Sequence, residues 1–345
     1  MYYVFLGLII YIFSLSILTK KNKVFSEILG VLILSFFTVM VGLRYGVGID
    51  YFSYENMFNL YYDAFKSEPI YSFIMYIIKN TTDKFYHVTL IMAFITNTFL
   101  YLGLKKRNIK GVYLLLALLI YFSNMGAIFM NAMRQGVAVA IFFYASTYIE
   151  KKSFKKYIFF ILVGAGFHMS ALLFIPLYFI RPVFNKKRYY CSILACYSFV
   201  YFNIAIILIN FIASKIPMYS HYHNSHFFKN ASNNILALGV MLNVIFIGYL
   251  IVYNKKKYNY ELNFYLLGTL INILALSTFV FDRIGIYFFT FGIVAIPKII
   301  KDIKNNRTRK LAFGLAIAIA IIYFSQVYLI HPESSSLYYR SIFSK

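Results

Sequence analysis

The chain has 345 residues; 61% are hydrophobic, 13% are charged, and the mean hydropathy is +0.70. A soluble globular protein carries about 25% charge and about 45–50% apolar residues, so a soluble enzyme and a disordered chain are excluded. The net charge of +23 does not point to nucleic acid, because no stretch outside the apolar runs is long enough to form a binding domain.

Apolar runs close to the ~20 residues of a membrane crossing recur from end to end. They are continuous and do not alternate in period two, so the fold class is all-α, a polytopic membrane protein and not a barrel. The expected spans are 2–18, 25–43, 85–103, 111–124, 131–149, 157–180, 190–213, 235–253, 262–280, 284–297 and 311–329, within a single transmembrane domain covering 1–345. The spans 111–124 and 284–297 are short and borrow from their neighbours. The first run has its positive charges, Lys20, Lys21 and Lys23, behind it. A cleaved signal peptide has the reverse order, so the run reads as a retained span with its N-terminus outside. Cys191 and Cys196 lie inside an apolar run and suggest neither a disulfide nor a metal site.

The loop 44–84 follows the second span. It holds Asp50, Glu55, Asp63, Glu68 and Asp83, five of the eleven acids, together with seven tyrosines. Tyrosine suits both a sugar surface and a membrane interface. Residues 69–79 are too short to cross and read as an interfacial helix. At the head of this loop, Arg44 and Asp50 are separated by Gly46 and Gly48. The glycines permit a tight path that lets both side chains face one pocket; a surface loop with an incidental ion pair is the plain alternative. In the fifth span, Arg134 sits in the run Asn131-Ala132-Met133-Arg134-Gln135-Gly136. A charge within a membrane helix costs about 3 kcal/mol or more without a partner or water; the alternative is snorkelling to the outer surface.

Segment 157–180 carries Gly164 and Gly166 at its midpoint, followed by His168. If it crosses once, the basic clusters divide almost evenly between the two sides. If it enters and returns, most of them fall inside, as the positive-inside rule prefers. The expected architecture is therefore about ten crossings plus a re-entrant helical hairpin at 157–180, with both termini outside and His168 at the tip; the alternative is one kinked span. Residues 169–180 would start a half-helix whose N-terminus suits an anion. Asp282 and Arg283 lie between two later runs. Adjacent helical residues do not face each other, so one would pair with Arg134 or Asp50 while Arg283 faces a ligand.

This topology puts all these places toward the outer leaflet. Arg44, Arg134 and Arg283, with His168, would surround a cation-rich outer cavity suited to phosphate or pyrophosphate. No His/Cys/Asp set has metal-ligand spacing, and no Walker or dinucleotide motif is present, so no metal and no cofactor is expected.

The order Arg44-(x)3-Gly48-x-Asp50-Tyr51, then Met133-Arg134-Gln135-Gly136-Val137-Ala138, then Phe167-His168-Met169-Ser170-Ala171-Leu172, then Asp282-Arg283, resembles the EpsG family of polysaccharide polymerases. These are similar in role to Wzy O-antigen polymerases, and the resemblance covers roughly residues 1 to 330. It implies a GT-C-like membrane enzyme of the bacterial cytoplasmic membrane, with its active site toward the outer face. Such an enzyme joins oligosaccharide repeat units carried on undecaprenyl pyrophosphate into an exopolysaccharide, capsule or O-antigen. The expected partners are the lipid-linked donor and acceptor, membrane lipid, and a chain-length regulator and flippase of the same pathway.

On this reading Arg44, Arg134 and Arg283 hold pyrophosphate and stabilise the leaving group, which removes the need for a metal. Asp50 or His168 is the general base for the acceptor hydroxyl, with Asp50 favoured. Tyr45, Tyr51, Gln135 and Asp282 contact sugar or support the site, and one inverting displacement is the simplest scheme. Three other activities fit parts of the pattern. A transporter or flippase of lipid-linked sugars should show repeated halves, which are not seen. A membrane acyltransferase using its His would need a cytoplasmic acyl donor. A ligase would share the donor chemistry with a polymerase.

Overall fold

The structure is a computed structural model, which describes residues 23–60, 68–180, 182–215, 237–253, 260–325 and 339–344. The expected first span, 2–18, lies outside them, as does most of the linker carrying Asp63. Regular structure among the described residues is helical, with one isolated bridge between Arg44 and Ser341. Among the described residues, three helices, Val24–Gly42, Phe85–Lys106 and Asn306–Ser325, are long and apolar enough to cross a bilayer, and a bent pair, Val280–Phe289 with Gly292–Asp302, qualifies if taken as one span. These apolar helices are consistent with a membrane protein. The chain divides into two compact units, residues 1–180 with 320–345, and residues 181–319.

The first unit opens with α1 (Lys23–Gly42), α2 (Tyr51–Asn59), α3 (Pro69–Thr81), α4 (Phe85–Lys106) and α5 (Val112–Asn124). α1 packs on α4 and α5. Small residues permit the close approach. A Cβ on Gly42 would stand 2.7 Å from the Leu90 backbone, and Thr89 Oγ1 donates to the Gly42 carbonyl at 2.5 Å. Polar side chains add side-to-side bonds in this apolar setting. The Tyr121 hydroxyl donates to Asn97 Oδ1, and Asn97 Nδ2 donates to Thr38 Oγ1, each at 2.8 Å.

The fifth expected span is not one helix. α6 (Gly126–Asn131) ends at Ala132, and α7 (Met133–Ala145) and α8 (Thr147–Glu150) follow. In a continuous helix the Met130 carbonyl would accept from residue 134. Here it accepts Arg44 Nη2 at 2.9 Å, and Asn131 Oδ1 accepts the Ile49 N–H at 2.8 Å. The 44–49 loop thus takes up hydrogen-bonding groups at the break, and Arg134 lies in the first turn of a new helix instead of within a long one.

Residues 154–178 fold back on themselves. α9 (Phe154–Ala165) runs to Gly166, the chain turns through Phe167 and His168, and a 3₁₀ helix (Met169–Tyr178) returns. The arms meet along their length: Gly164 faces Ala171, the Tyr157 hydroxyl donates to the Phe174 carbonyl at 2.6 Å, and the Phe154 and Tyr178 rings lie 5.0 Å apart. The returning arm is 3₁₀ where an α half-helix was expected. Pro176 lies inside it, lacking an N–H and crowding an α-helical turn.

The second unit contains α10 (Lys186–Tyr201), α11 (Ile204–Lys215), α12 (Leu238–Tyr253), α13 (Tyr260–Leu274), α14 (Phe279–Phe289) and α15 (Gly292–Asp302). α16 (Asn306–Ser325) begins in it and runs into the first. α13 is its centre, packed against α10, α12, α14 and α15. A Cβ on Gly268 would meet the Phe289 backbone at 2.5 Å, so glycine sets the α13–α14 spacing. Lys298 Nζ reaches the buried Glu261 Oε1 at 2.7 Å. The expected span 190–213 is broken between α10 and α11, where Asn203 has φ +56°.

Candidate functional site

The site grows from a cluster of apolar and aromatic side chains joining α2, α3, α4, α7 and the hairpin tip. Tyr54 and Phe58 of α2, Tyr71 and Met75 of α3, Val88 and Met92 of α4, Met133 and Val137 of α7 and Phe167 of the tip are all buried in it. Burial of aromatic side chains here fixes α3 against the hairpin.

A backbone clasp refines that placement. α3 begins with Pro69 at its first position, which needs no N–H there. The next two N–H groups, Ile70 and Tyr71, both donate to the Gly166 carbonyl, at 3.0 and 3.1 Å. A Cβ on Gly166 would stand 2.5 Å from Ile70 Cγ1. Any larger residue there must displace the Ile70 side chain where α3 abuts the tip.

The clasp brings Glu68, just before α3, onto two cationic side chains. Glu68 Oε2 pairs with Arg134 Nη1 in a short contact, and Glu68 Oε1 lies 2.6 Å from His168 Nδ1. The Glu68 side chain is 5% exposed, Arg134 20% and His168 30%. The carboxylate is the inner member, and the guanidinium and imidazole reach the surface. Burial pushes the Glu68 carboxyl up, but the hydrogen bond from His168 and the charge and hydrogen bond of Arg134 outweigh it, leaving it below the usual carboxylate value. The guanidinium also lies over the rings of Tyr54 and Tyr71, at 5.5 and 5.6 Å, a cation–π arrangement that orients it further.

Of the residues expected from sequence, Arg134 and His168 are thus brought together. Arg44 is elsewhere occupied. It is buried, with Nε donating to the Val47 carbonyl at 3.1 Å, Nη1 to Val41 at 2.5 Å and Nη2 to Met130 at 2.9 Å. Tyr51 is buried beneath it, 5.8 Å from ring centre to guanidinium, and Tyr45 packs edge-on to Tyr51. Gln135 is buried in the first turn of α7. Asp50 precedes α2, half-buried, one helical turn before Tyr54, and its carboxylate has no hydrogen-bond or ion-pair partner among the described residues. Asp282 lies in the first turn of α14 and Arg283 follows it, both exposed, in the second unit.

Glu68 was not singled out from sequence as a site residue, nor were Tyr54 and Tyr71. One signal was present. An arginine in an apolar run demands a counter-charge, and the chain has only eleven acids to supply it, five of them in the loop before α4.

A sequence model of the EpsG family matches residues 27–341. No curated protein and no solved structure matches the chain.

Proposed function

The chain belongs to the EpsG family, and we propose that it is a membrane glycosyltransferase that polymerises undecaprenyl-pyrophosphate-linked repeat units. Family membership suggests a polysaccharide polymerase working in a membrane; the substrate, the outer-face location in the bacterial cytoplasmic membrane, the ten crossings and the GT-C-like architecture are our reading. The observation that carries it is the Glu68–Arg134–His168 group. A mostly apolar chain holds a guanidinium and an imidazole on one buried carboxylate and leaves both partly exposed.

The reaction breaks the bond between the donor's anomeric carbon and a pyrophosphate oxygen, and negative charge grows on the leaving group. A guanidinium presents five N–H donors in a fixed fork. Glu68 and the Tyr54 and Tyr71 rings hold that of Arg134 in place before substrate arrives, so little reorganisation is needed as the charge develops. Arg134 is thus the proposed pyrophosphate contact, in a metal-independent, inverting displacement. Arg44 is assigned to holding the 44–49 loop against the α6–α7 break.

The test is incubation of purified, lipid-reconstituted protein with a lipid-linked repeat unit, with products read on a gel. A ladder of increasing length is expected. Transfer of a single unit to a different acceptor would instead make it a ligase, and no transfer at all would overturn the glycosyltransferase reading.

A further inference from the structure

The interaction between Glu68 and His168 has a chemical direction. An ionised carboxylate only accepts hydrogen bonds. Glu68 Oε1 lies 2.6 Å from His168 Nδ1, so the proton between them sits on Nδ1. In a neutral imidazole the other nitrogen then carries the lone pair. His168 Nε2 has no hydrogen-bond partner among the described residues, and the side chain is 30% exposed. The backbone that carries His168 is hydrogen-bonded too. The His168 N–H donates to the Gly164 carbonyl at 2.9 Å, and the nearby Gly166 carbonyl is clasped by the two N–H groups of α3 that follow Glu68. Glu68 and His168 therefore share a short, doubly hydrogen-bonded piece of backbone, although they lie 100 residues apart.

Resting on the polymerase reading above, we propose that Glu68 and His168 form the proton-transfer dyad of this site, with His168 Nε2 as the general base and Glu68 as the residue that positions it. The acceptor sugar's hydroxyl oxygen attacks the donor's anomeric carbon and forms the new C–O bond. Its O–H bond breaks and the proton passes to Nε2. The bond from the anomeric carbon to the pyrophosphate oxygen breaks, and its electron pair leaves with the pyrophosphate. The imidazolium then returns its proton to water. Glu68 stabilises that imidazolium through Nδ1, and its second oxygen holds Arg134, so one carboxylate sets both the base and the leaving-group contact. Asp50, favoured on sequence alone, has no side-chain partner among the described residues to orient it.

The experiment compares the parent protein with His168→Gly, Glu68→Gln and Asp50→Asn in reconstituted membranes. Binding of undecaprenyl pyrophosphate and polymer formation at saturating lipid-linked repeat unit are measured separately, and a melting curve shows that each protein is folded. His168→Gly is expected to bind the pyrophosphate lipid nearly as the parent does and to polymerise about 10²–10⁴-fold more slowly. Added imidazole should recover part of that rate, a recovery that a structural role would not give. Glu68→Gln should also lose turnover, and imidazole should not restore it because His168 still fills the site. A His168→Gly protein that polymerises at the parental rate, or that loses lipid binding while keeping its maximal rate, overturns the dyad. So does an Asp50→Asn protein that binds lipid and makes nothing while His168→Gly polymerises. A parent protein that makes no polymer under the same conditions overturns the polymerase reading and the dyad with it.

Discussion

Arg44 and Arg134 are the same residue type in similarly apolar stretches, yet their surroundings assign them opposite work. Arg44 donates to three main-chain carbonyls in the interior. A lysine ammonium has a single nitrogen and cannot span all three, and an orphaned buried acceptor costs about 1–3 kcal/mol. Arg44→Lys is therefore expected to lower the melting temperature while the folded fraction keeps its affinity for the pyrophosphate lipid; unchanged stability with lost affinity would make Arg44 a ligand contact. Arg134→Lys should retain the pairing with Glu68 but lose the planar fork. It is expected to be nearly as damaging to polymer formation as Arg134→Ala, and full activity would show that a point charge suffices. Glu68 predicts a pH effect. Its carboxyl is held below the ordinary value of 4.5, so its contribution to stability is present above that value and is lost as pH falls through the lower folded value. Melting curves should drop below about pH 4.5 in the parent, and Glu68→Gln should lack that part of the drop.

At the scale of elements, the hairpin and α3 form one device. Pro69 starts α3, Gly166 caps it from another part of the chain, and a Cβ on Gly166 would crowd the Ile70 side chain. Gly166→Ala must push Ile70 away. It should cost about 1–3 kcal/mol, as overpacking typically does, and slow polymer formation by moving Glu68 relative to His168. Gly314 in α16 is the control: a Cβ there meets nothing, so Gly314→Ala should be neutral or stabilise by up to about 1 kcal/mol. The return of the hairpin has its own measurement. Phe154 contacts both Tyr178 and Phe179, so single cysteines at Lys155 and Phe179 should react alike with an impermeant thiol reagent in intact cells, once Cys191 and Cys196 are replaced. Opposite labelling would show that the arms end on different sides. Gly164 and Gly166, which suggested a turn within 157–180, lie where α9 ends, and the labelling decides whether both arms finish on one side of a membrane. The hairpin's second arm is 3₁₀ and contains Pro176, which disfavours the α half-helix expected there.

For the whole molecule, the distant end of the chain completes the first unit. Residues 339–342 return to the end of α1: the Tyr339 hydroxyl donates to the Met40 carbonyl at 2.7 Å, the Tyr45 N–H to Arg340 at 2.8 Å, and the Ile342 N–H to Leu43 at 3.0 Å. These bonds brace the backbone on both sides of Arg44. Deleting residues 339–345 should lower thermal stability and polymer yield together, and a truncated protein as stable and active as the parent would show the brace to be dispensable. The family match over residues 27–341 reaches into this returning segment.

The sequence alone determined the class of the molecule and the ordered motifs that place it in its family. Hydropathy, charge clusters and glycine pairs are sums over neighbouring residues, and they can be read without knowing what lies across the fold. Tertiary structure alone decided which cation meets which carboxylate. Glu68 finds Arg134 across 66 residues and His168 across 100, and those distances close only when aromatic burial docks α3 on the hairpin. The same packing placed Arg44 against carbonyls and broke the helix ahead of Arg134. A charged side chain in an apolar setting must find a partner, but where that partner comes from is a property of the packed helices, not of the residues beside it in the chain.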